Sequence, residues 1–238
     1  MGAPRLAVLA MFGCAACAAP GPLVADGFSE PRPSVRVLVM PPDVEIGYLT
    51  LSGVETREDW NAAAGRELLT ALFRNLQAGG EEIVVLDTAA SHKAEAWQVT
   101  LLHRAVAEAV MTHLVELDPD RYMGPLPHKP AAGLDYTLSE PMAAVAGELE
   151  ADYAMFLTAR ARVESGGVIV SKVLVGAATG QAPPGHGFEG TLVSLVDAGT
   201  GELVWVGHDD RGDPRDPKAA AKIMKRIFSV SPLGEGGQ

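Results

Sequence analysis

The residues able to do chemistry in this chain are few, and their spacing limits what they can do. His208-Asp209-Asp210-Arg211-Gly212-Asp213-Pro214-Arg215-Asp216 gathers four carboxylates within nine residues, an oxygen-rich run of the kind that can hold Ca²⁺. Arg211 and Arg215 interleave with them, and no complete calcium-loop pattern appears. The run reads as a solvated connection, with Asp216 before Pro217 capping a helix. Gly185-His186-Gly187-Phe188-Glu189-Gly190 matches G-x-G-x-x-G letter for letter, but the dinucleotide fingerprint needs a strand before it and a helix after it. Here Pro183-Pro184 precede and a strand pattern follows, so the run reads as a loop that binds no cofactor. His103 and His113 lie ten residues apart on one predicted helix, about 15 Å of axial rise, too far to share a metal. His113 falls near the apolar stripe and reads as a hydrogen-bonded core residue. Neither H-E-x-x-H nor G-x-S-x-G occurs, and no Ser, His and Asp are singled out by spacing. The expectation is a non-enzyme with no catalytic residue, no cofactor and no metal ligand.

The two cysteines carry a different message. Cys14 and Cys17 both fall within the first twenty residues, and the rest of the chain has none. A disulfide framework or a thiolate site in the body is thereby excluded. Arg5, the apolar run Leu6 to Phe12 and the small residues around Gly13 to Ala19 form a secretory pattern. That run is far below the ~20 residues that span a bilayer as a helix. Residues 1–19 resemble the signal region of bacterial lipoproteins, in which a cysteine after a small residue is lipidated and becomes the new N-terminus. Cys14, after Met11-Phe12-Gly13, is the first choice, and Cys17, after Ala15-Ala16, the alternative. Ordinary cleavage after Ala18 or Ala19, giving a soluble periplasmic or secreted protein, also fits the small-x-small rule. The resemblance implies a multiply acylated anchor that holds the protein stably at a membrane. Alanine follows either cysteine, which by the lipoprotein sorting rule implies the periplasmic face of the outer membrane. Residues 20–33, rich in proline and glycine, read as a flexible tether.

Across 238 residues the formal net charge is −11, and no Lys/Arg cluster is dense enough to follow a phosphate backbone, which argues against nucleic acid as a partner. Hydrophobic residues make up 47% and charged residues 21%, so the body should fold around a core.

Residues 34–229 read as one α/β (α+β) domain. Val35 to Met40 is a β-branched strand stopped by Pro41-Pro42, and Val44 to Leu51 is an irregular extended continuation. Thr56 with Asp59 resembles a capping box opening a helix, whose stripe runs through Trp60, Ala64, Leu68, Leu72 and Leu76 and stops at Gly79-Gly80. Glu82 to Asp87 reads as a buried strand. A second helix is expected from Ala94 to Leu117, with Trp97, Leu101, Ala105, Val110, Leu114 and Leu117 inward. Residues Asp120 to Thr137 read as a surface loop. Ser139-Glu140-Pro141 opens a third helix, and Tyr153 to Val163 is a long strand. Gly190 to Asp197 and Glu202 to His208 form a hairpin around Ala198 to Gly201. A last helix after Asp216 buries Ala220, Ile223, Met224, Ile227 and Phe228, and a loose tail covers residues 230–238. The order is β-α-β-α-α-β-β-β-α, a three-layer-like arrangement of a mixed sheet flanked by about four helices. The apolar run Val168 to Ala178 stays open between a core element, a membrane-facing patch and an oligomer contact, with the core as default.

Leu149-Glu150-Ala151-Asp152-Tyr153, the strand after it, and Leu195-Val196-Asp197 with Thr200-Gly201-Glu202 and Trp205 are similar to motifs of several envelope proteins. These are the curli-assembly lipoprotein, the lipoprotein activator of penicillin-binding proteins and the N-terminal domain of the Tol propeller protein. Pro41 to Val44 and Trp60 to Ala64 resemble uncharacterised lipoproteins more narrowly. The resemblance implies a non-catalytic domain that binds or assembles with other envelope proteins. Self-association in a membrane-associated assembly is one alternative, and a small-molecule binder with the 120–137 loop as a lid is another. The two candidate insertions, Asp43 to Glu55 and Glu164 to Glu189, lack paired alternating strands of the ~9–11 residues that a membrane barrel needs.

Overall fold

The computed structural model describes residues 23–26, 28, 34–87, 94–111, 134–179 and 189–233. Its elements are β1 (Leu23–Val24), β2 (Arg36–Val39), β3 (Asp43–Thr50), β4 (Gly53–Thr56), α1 (Glu58–Gly79), β5 (Glu82–Val85), α2 (Ala94–Val110), α3 (Ser139–Gly147), β6 (Tyr153–Glu164), α4 (Gly166–Thr179), β7 (Gly190–Asp197), β8 (Leu203–Asp209) and α5 (Pro217–Phe228). The expected order survives as the skeleton, and β1, β3, β4 and α4 are added to it. Five helices, rather than about four, are found among the described residues.

The sheet is mixed and open, in the order β1-β8-β7-β6-β2-β5. Its axis is β6. On one side β6 pairs antiparallel with β7, from Tyr153–Asp197 to Arg160–Gly190. On the other side it carries two strands end to end: β2 runs parallel to Tyr153–Met155, and β3 runs parallel to Thr158–Glu164. Pro41-Pro42 divides them, because proline offers no N–H to a ladder. Beyond Arg160 the β6–β7 register ends, while β6, β3 and β4 continue outward as a projection.

Side chains alternate along each strand, and β6 shows this directly. Ala154 and Phe156 join one core cluster with Val99, Val106 and Val110 of α2 and Met142 and Val145 of α3. Met155 and Leu157 join a second with Leu68, Leu72 and Leu76 of α1 and Ile223, Met224 and Ile227 of α5. The molecule therefore has three layers, α2/α3, sheet and α1/α5. Strands covered on both faces are apolar almost continuously, as Leu192 to Val196 are.

Local chemistry sets the element ends. Asp216 accepts a hydrogen bond from the Ala219 amide at 2.7 Å, with Pro217 in the first turn of α5. All five residues expected inside α5 are buried. Gly80 closes α1 with φ 88°, a conformation glycine takes without penalty. In the β7–β8 turn, Asp197 Oδ1 accepts from the amides of Gly199 and Thr200.

Several expectations are corrected. Thr56 does not cap α1: it ends β4, the cap position is Arg57, and no side chain bonds the helix start. Arg57 turns to Asp59 instead, taking the carboxylate a capping box would use. The strand at Glu82–Val85 is not fully buried; it lies at the end of the sheet order, with Glu82 and Val85 exposed and Ile83 and Val84 half-buried. The inner face of α2 is Ala96, Val99, His103, Val106, Ala107 and Val110, whereas Trp97 and Leu101 face outward. Small and β-branched side chains let α2 sit close to the sheet, and the bulky pair is left outside. The tether expected over 20–33 is partly docked: Leu23 and Val24 pair with Val206 and Trp205, and Phe28 meets Tyr153 edge-on at 6.2 Å. The start of the expected loose tail is also packed, since Ser231 and Leu233 are buried.

Candidate functional site

Where β7 begins and β8 ends, the projection of β6 and the loop into α5 enclose an open cleft of about 400 Å³. It draws Arg160 and Arg162 from β6, Ile46 from β3, and Asp209, Asp213 and Arg215 from the end of β8 and the following loop. The acidic run at 208–216 thus does line a site, but two of its carboxylates, Asp209 and Asp213, are held by arginine and a third, Asp216, caps α5. Asp209 is buried and receives Arg226 Nε at 2.7 Å and Arg211 Nε at 2.8 Å. Asp213 pairs with Arg215, whose guanidinium bond holds the Asp213 carboxyl below its usual range against partial burial. Among the described residues no group of three His, Cys, Asp or Glu side chains is placed to hold a metal ion.

A second network backs the cleft. Asp43 accepts from Arg160 at 2.7 Å and from Arg104 at 2.8 Å, joining β3, β6 and α2. Burial pushes the Asp43 carboxyl upward, but the bonds and charges of Arg160 and Arg104 outweigh it and the carboxyl is held low. Beside this network His103 is buried and stacks on Phe156, with centroids 4.0 Å apart and planes 11° from parallel. Burial lowers its pKa to about 3; the charge of Asp43 works against that shift and Arg160 adds to it. The neutral imidazole is thus a core group, and its Nε2 has no hydrogen-bond partner among the described residues. His113, expected as a core residue, lies outside the described residues, and His103 holds a core position.

Trp60 is not a core residue either. It is half-buried, with the guanidinium groups of Arg57 and Arg215 at 4.5 and 4.3 Å from its ring and Tyr48 edge-on at 5.9 Å. Cation–π contacts of this kind fix the cleft wall. The arrangement can recognise charge, because each bonded carboxylate above already meets a guanidinium and any ligand must compete for those pairs.

Two exposed apolar surfaces complete the candidates. On α2, Trp97 is 56% exposed, with Leu101 one turn on and Leu102 beside it. On α4, Ile169, Val170, Val173 and Leu174 are exposed, the last two at 65% each. The run Val168 to Ala178 is therefore a surface helix and not a core element; among its described side chains only Val168 is buried. The lipidation candidates Cys14 and Cys17 lie outside the described residues, as does the glycine pattern before Glu189. Of the 120–137 loop only residues 134–137 are described. Thr137 bridges to Glu202, at the opposite end of β8 from the cleft.

Sequence does not single out Arg104, Arg160 or Arg162 as site residues, and Asp43 and Trp60 stand out only through the Pro41 to Val44 and Trp60 to Ala64 motifs, Trp60 as part of an inward stripe. For the arginines the one local signal is the alternation Ala159-Arg160-Ala161-Arg162, two cations on one face of a strand.

An open mixed sheet sandwiched between helix pairs, with a charge-paired cleft and exposed apolar side chains on α2 and α4, defines an α/β domain built on surfaces. No family model matches the chain, and no curated protein matches it. Among solved structures it is similar to the PelC dodecamer from Paraburkholderia phytofirmans, at 14% identity over 87% of this chain and 91% of that one, TM-score 0.38. It is also similar to the LpoB C-terminal domain from Salmonella enterica, at 14% identity over 78% and 85%, TM-score 0.26. A third is lipoprotein GNA1162 from Neisseria meningitidis, at 12% identity over 74% and 80%, TM-score 0.29. These likenesses are distant, and what this chain binds must be read from its own residues.

Proposed function

We propose that this chain is a lipid-anchored protein of the bacterial envelope, at the periplasmic face of the outer membrane, whose domain binds other envelope proteins without catalysing a reaction. The observation that carries the binding role is the outward stripe of α2. Trp97 and Leu101, one helical turn apart, are left in solvent while smaller residues take the inner face. Tryptophan is enriched in interface hot spots, where few side chains supply most of the affinity, and Leu101 extends the exposed apolar surface beside it. The anchor rests on the signal region and the cysteine-free body. No helix among the described residues is long and apolar enough to cross a membrane.

The test is capture from detergent extracts of native membranes, with the full chain as bait beside the double variant Trp97→Ser, Leu101→Ser. Enrichment of a defined envelope protein, reduced about tenfold or more by the variant at unchanged stability, is expected; tenfold is 1.4 kcal/mol of binding. Partners retained equally by both baits would refute the assignment.

A further inference from the structure

The projection of the sheet ends in an apolar surface, and the chain's N-terminal segment enters from the same end. β6 runs outward to Glu164 and passes through Ser165 into α4. The tip of the β3–β4 hairpin lies against that junction: the Ser165 amide donates to Leu49 O at 2.9 Å, and a Cβ added at Gly167 would meet Leu51 Cδ1 at 3.4 Å. Leu51, 74% exposed, and Val54 continue the apolar surface of α4. On α4 itself Ile169, Val170, Val173 and Leu174 fall at i, i+1, i+4 and i+5, which places them on one face. Its one cation, Lys172, is paired with Glu164 at the base of the helix.

The position of β1 supplies the occupant. Leu23 pairs with Val206 and Val24 with Trp205, antiparallel to β8, so the residues before Leu23 arrive from the end at which β8 finishes. Through the registers of β8 with β7 and β7 with β6, Leu23 stands level with Phe156. From that level to Glu164 the projection extends about 26 Å at the rise of a strand. A fully extended chain covers at most about 21 Å from Cys17 to Leu23 and about 31 Å from Cys14. Because β1 is docked, the anchor is about as short as the projection beside it. A domain held this way cannot stand clear of the bilayer with its projection pointing at it.

We propose that the projecting end of this domain rests on the bilayer, with α4 lying in the interface and Ile169, Val170, Val173 and Leu174 among the acyl chains. This rests on the anchored reading above. At 14 residues α4 is too short to span the hydrocarbon core, and an interfacial helix buries its apolar face only about 5–10 Å deep. With its lysine paired and the whole chain acidic, the contact is apolar, so high salt should not weaken it and anionic lipid should not be required.

The test uses the full chain, processed in its native cell, in vesicles of phosphatidylethanolamine and phosphatidylglycerol and in neutral phosphatidylcholine vesicles. An environment-sensitive fluorophore is attached at Leu174→Cys and, as a control on exposed α1, at Arg66→Cys, with the labelled unsubstituted chain subtracted for any N-terminal thiol. Flotation reports the anchor, and quenching by lipids brominated on their acyl chains reports penetration. The expected result is flotation of both variants, with position 174 blue-shifted and quenched by about half or more in both lipids and at high salt, and position 66 unaffected. Flotation with position 174 as water-exposed as position 66, or with energy transfer between labels on two copies in place of lipid quenching, overturns the bilayer contact alone. Failure to float overturns the anchored reading and this inference with it.

Discussion

His103 gives a sharp physical test of the core. Its imidazole is buried between α2 and β6 against Phe156, and its pKa falls from 6.5 to about 3 on folding. The unfolded chain therefore takes up a proton that the folded chain refuses. The stabilisation is complete above the unfolded value and is lost as pH falls toward the folded one. Within that window each pH unit removes about 1.4 kcal/mol, so acidification from about 6.5 to about 5 costs on the order of 2 kcal/mol from this side chain. His208, whose pKa burial also lowers, adds to the slope of the parent chain but cancels in a comparison. Urea denaturation of the parent and of His103→Phe, between about pH 7.5 and 5, isolates the effect. The substitution shifts stability at pH 7.5 by its packing cost and flattens the decline below pH 6.5 by about 2 kcal/mol. Identical slopes for the two proteins would refute a buried neutral imidazole.

Arg226→Met strips Asp209 of the partner that ties the end of β8 to α5. A buried carboxylate left short of a cation costs up to 3–5 kcal/mol; with Arg211 still in place the loss should be about 2 kcal/mol, read in a thermal melt as about 4–8 °C. Adding Asp209→Asn should recover part of it, and additive losses would contradict the pairing. Gly201→Ala places a Cβ 2.7 Å from the Ser139 amide nitrogen at a φ of +74°, where the β7–β8 turn meets α3. The strain should cost about 2 kcal/mol or more, whereas Gly199→Ala, whose Cβ would meet only Asp197 Oδ1 at 3.5 Å, should cost clearly less by the same melt.

The layers were legible because the strands and α5 have unambiguous periods. Tyr153–Glu164 and the Gly190–Asp209 hairpin are apolar runs punctuated by Asp197 to Gly201, and α5 has one stripe with lysines opposite. The phase of helix α2 is ambiguous in sequence: Val110 is inward as expected, but Trp97-Leu101-Ala105 and Val99-His103-Val106 both lead toward it, and only tertiary packing chooses between them. Helix α4 offered no polar face to set a direction, so sequence could not say whether it was covered. The cleft was invisible for another reason. Asp43 and Arg160 are 117 residues apart and meet because β3 lies parallel to β6, a long-range pairing with no local signature. The acidic run at 208–216 was visible, but the helix that neutralises it, through Arg226, was not linked to it by spacing.

A binding domain held by a lipid anchor close to a membrane, as proposed above, carries that anchor at its mature N-terminus. Intact-mass and peptide mass spectrometry of the mature chain, isolated from native membranes, tests it most directly. The expected result is an N-terminus at Cys14, or at Cys17, carrying thioether-linked diacylglycerol and an amide-linked acyl chain. An unmodified N-terminus after Ala18 or Ala19, or an intact Met1, would contradict it.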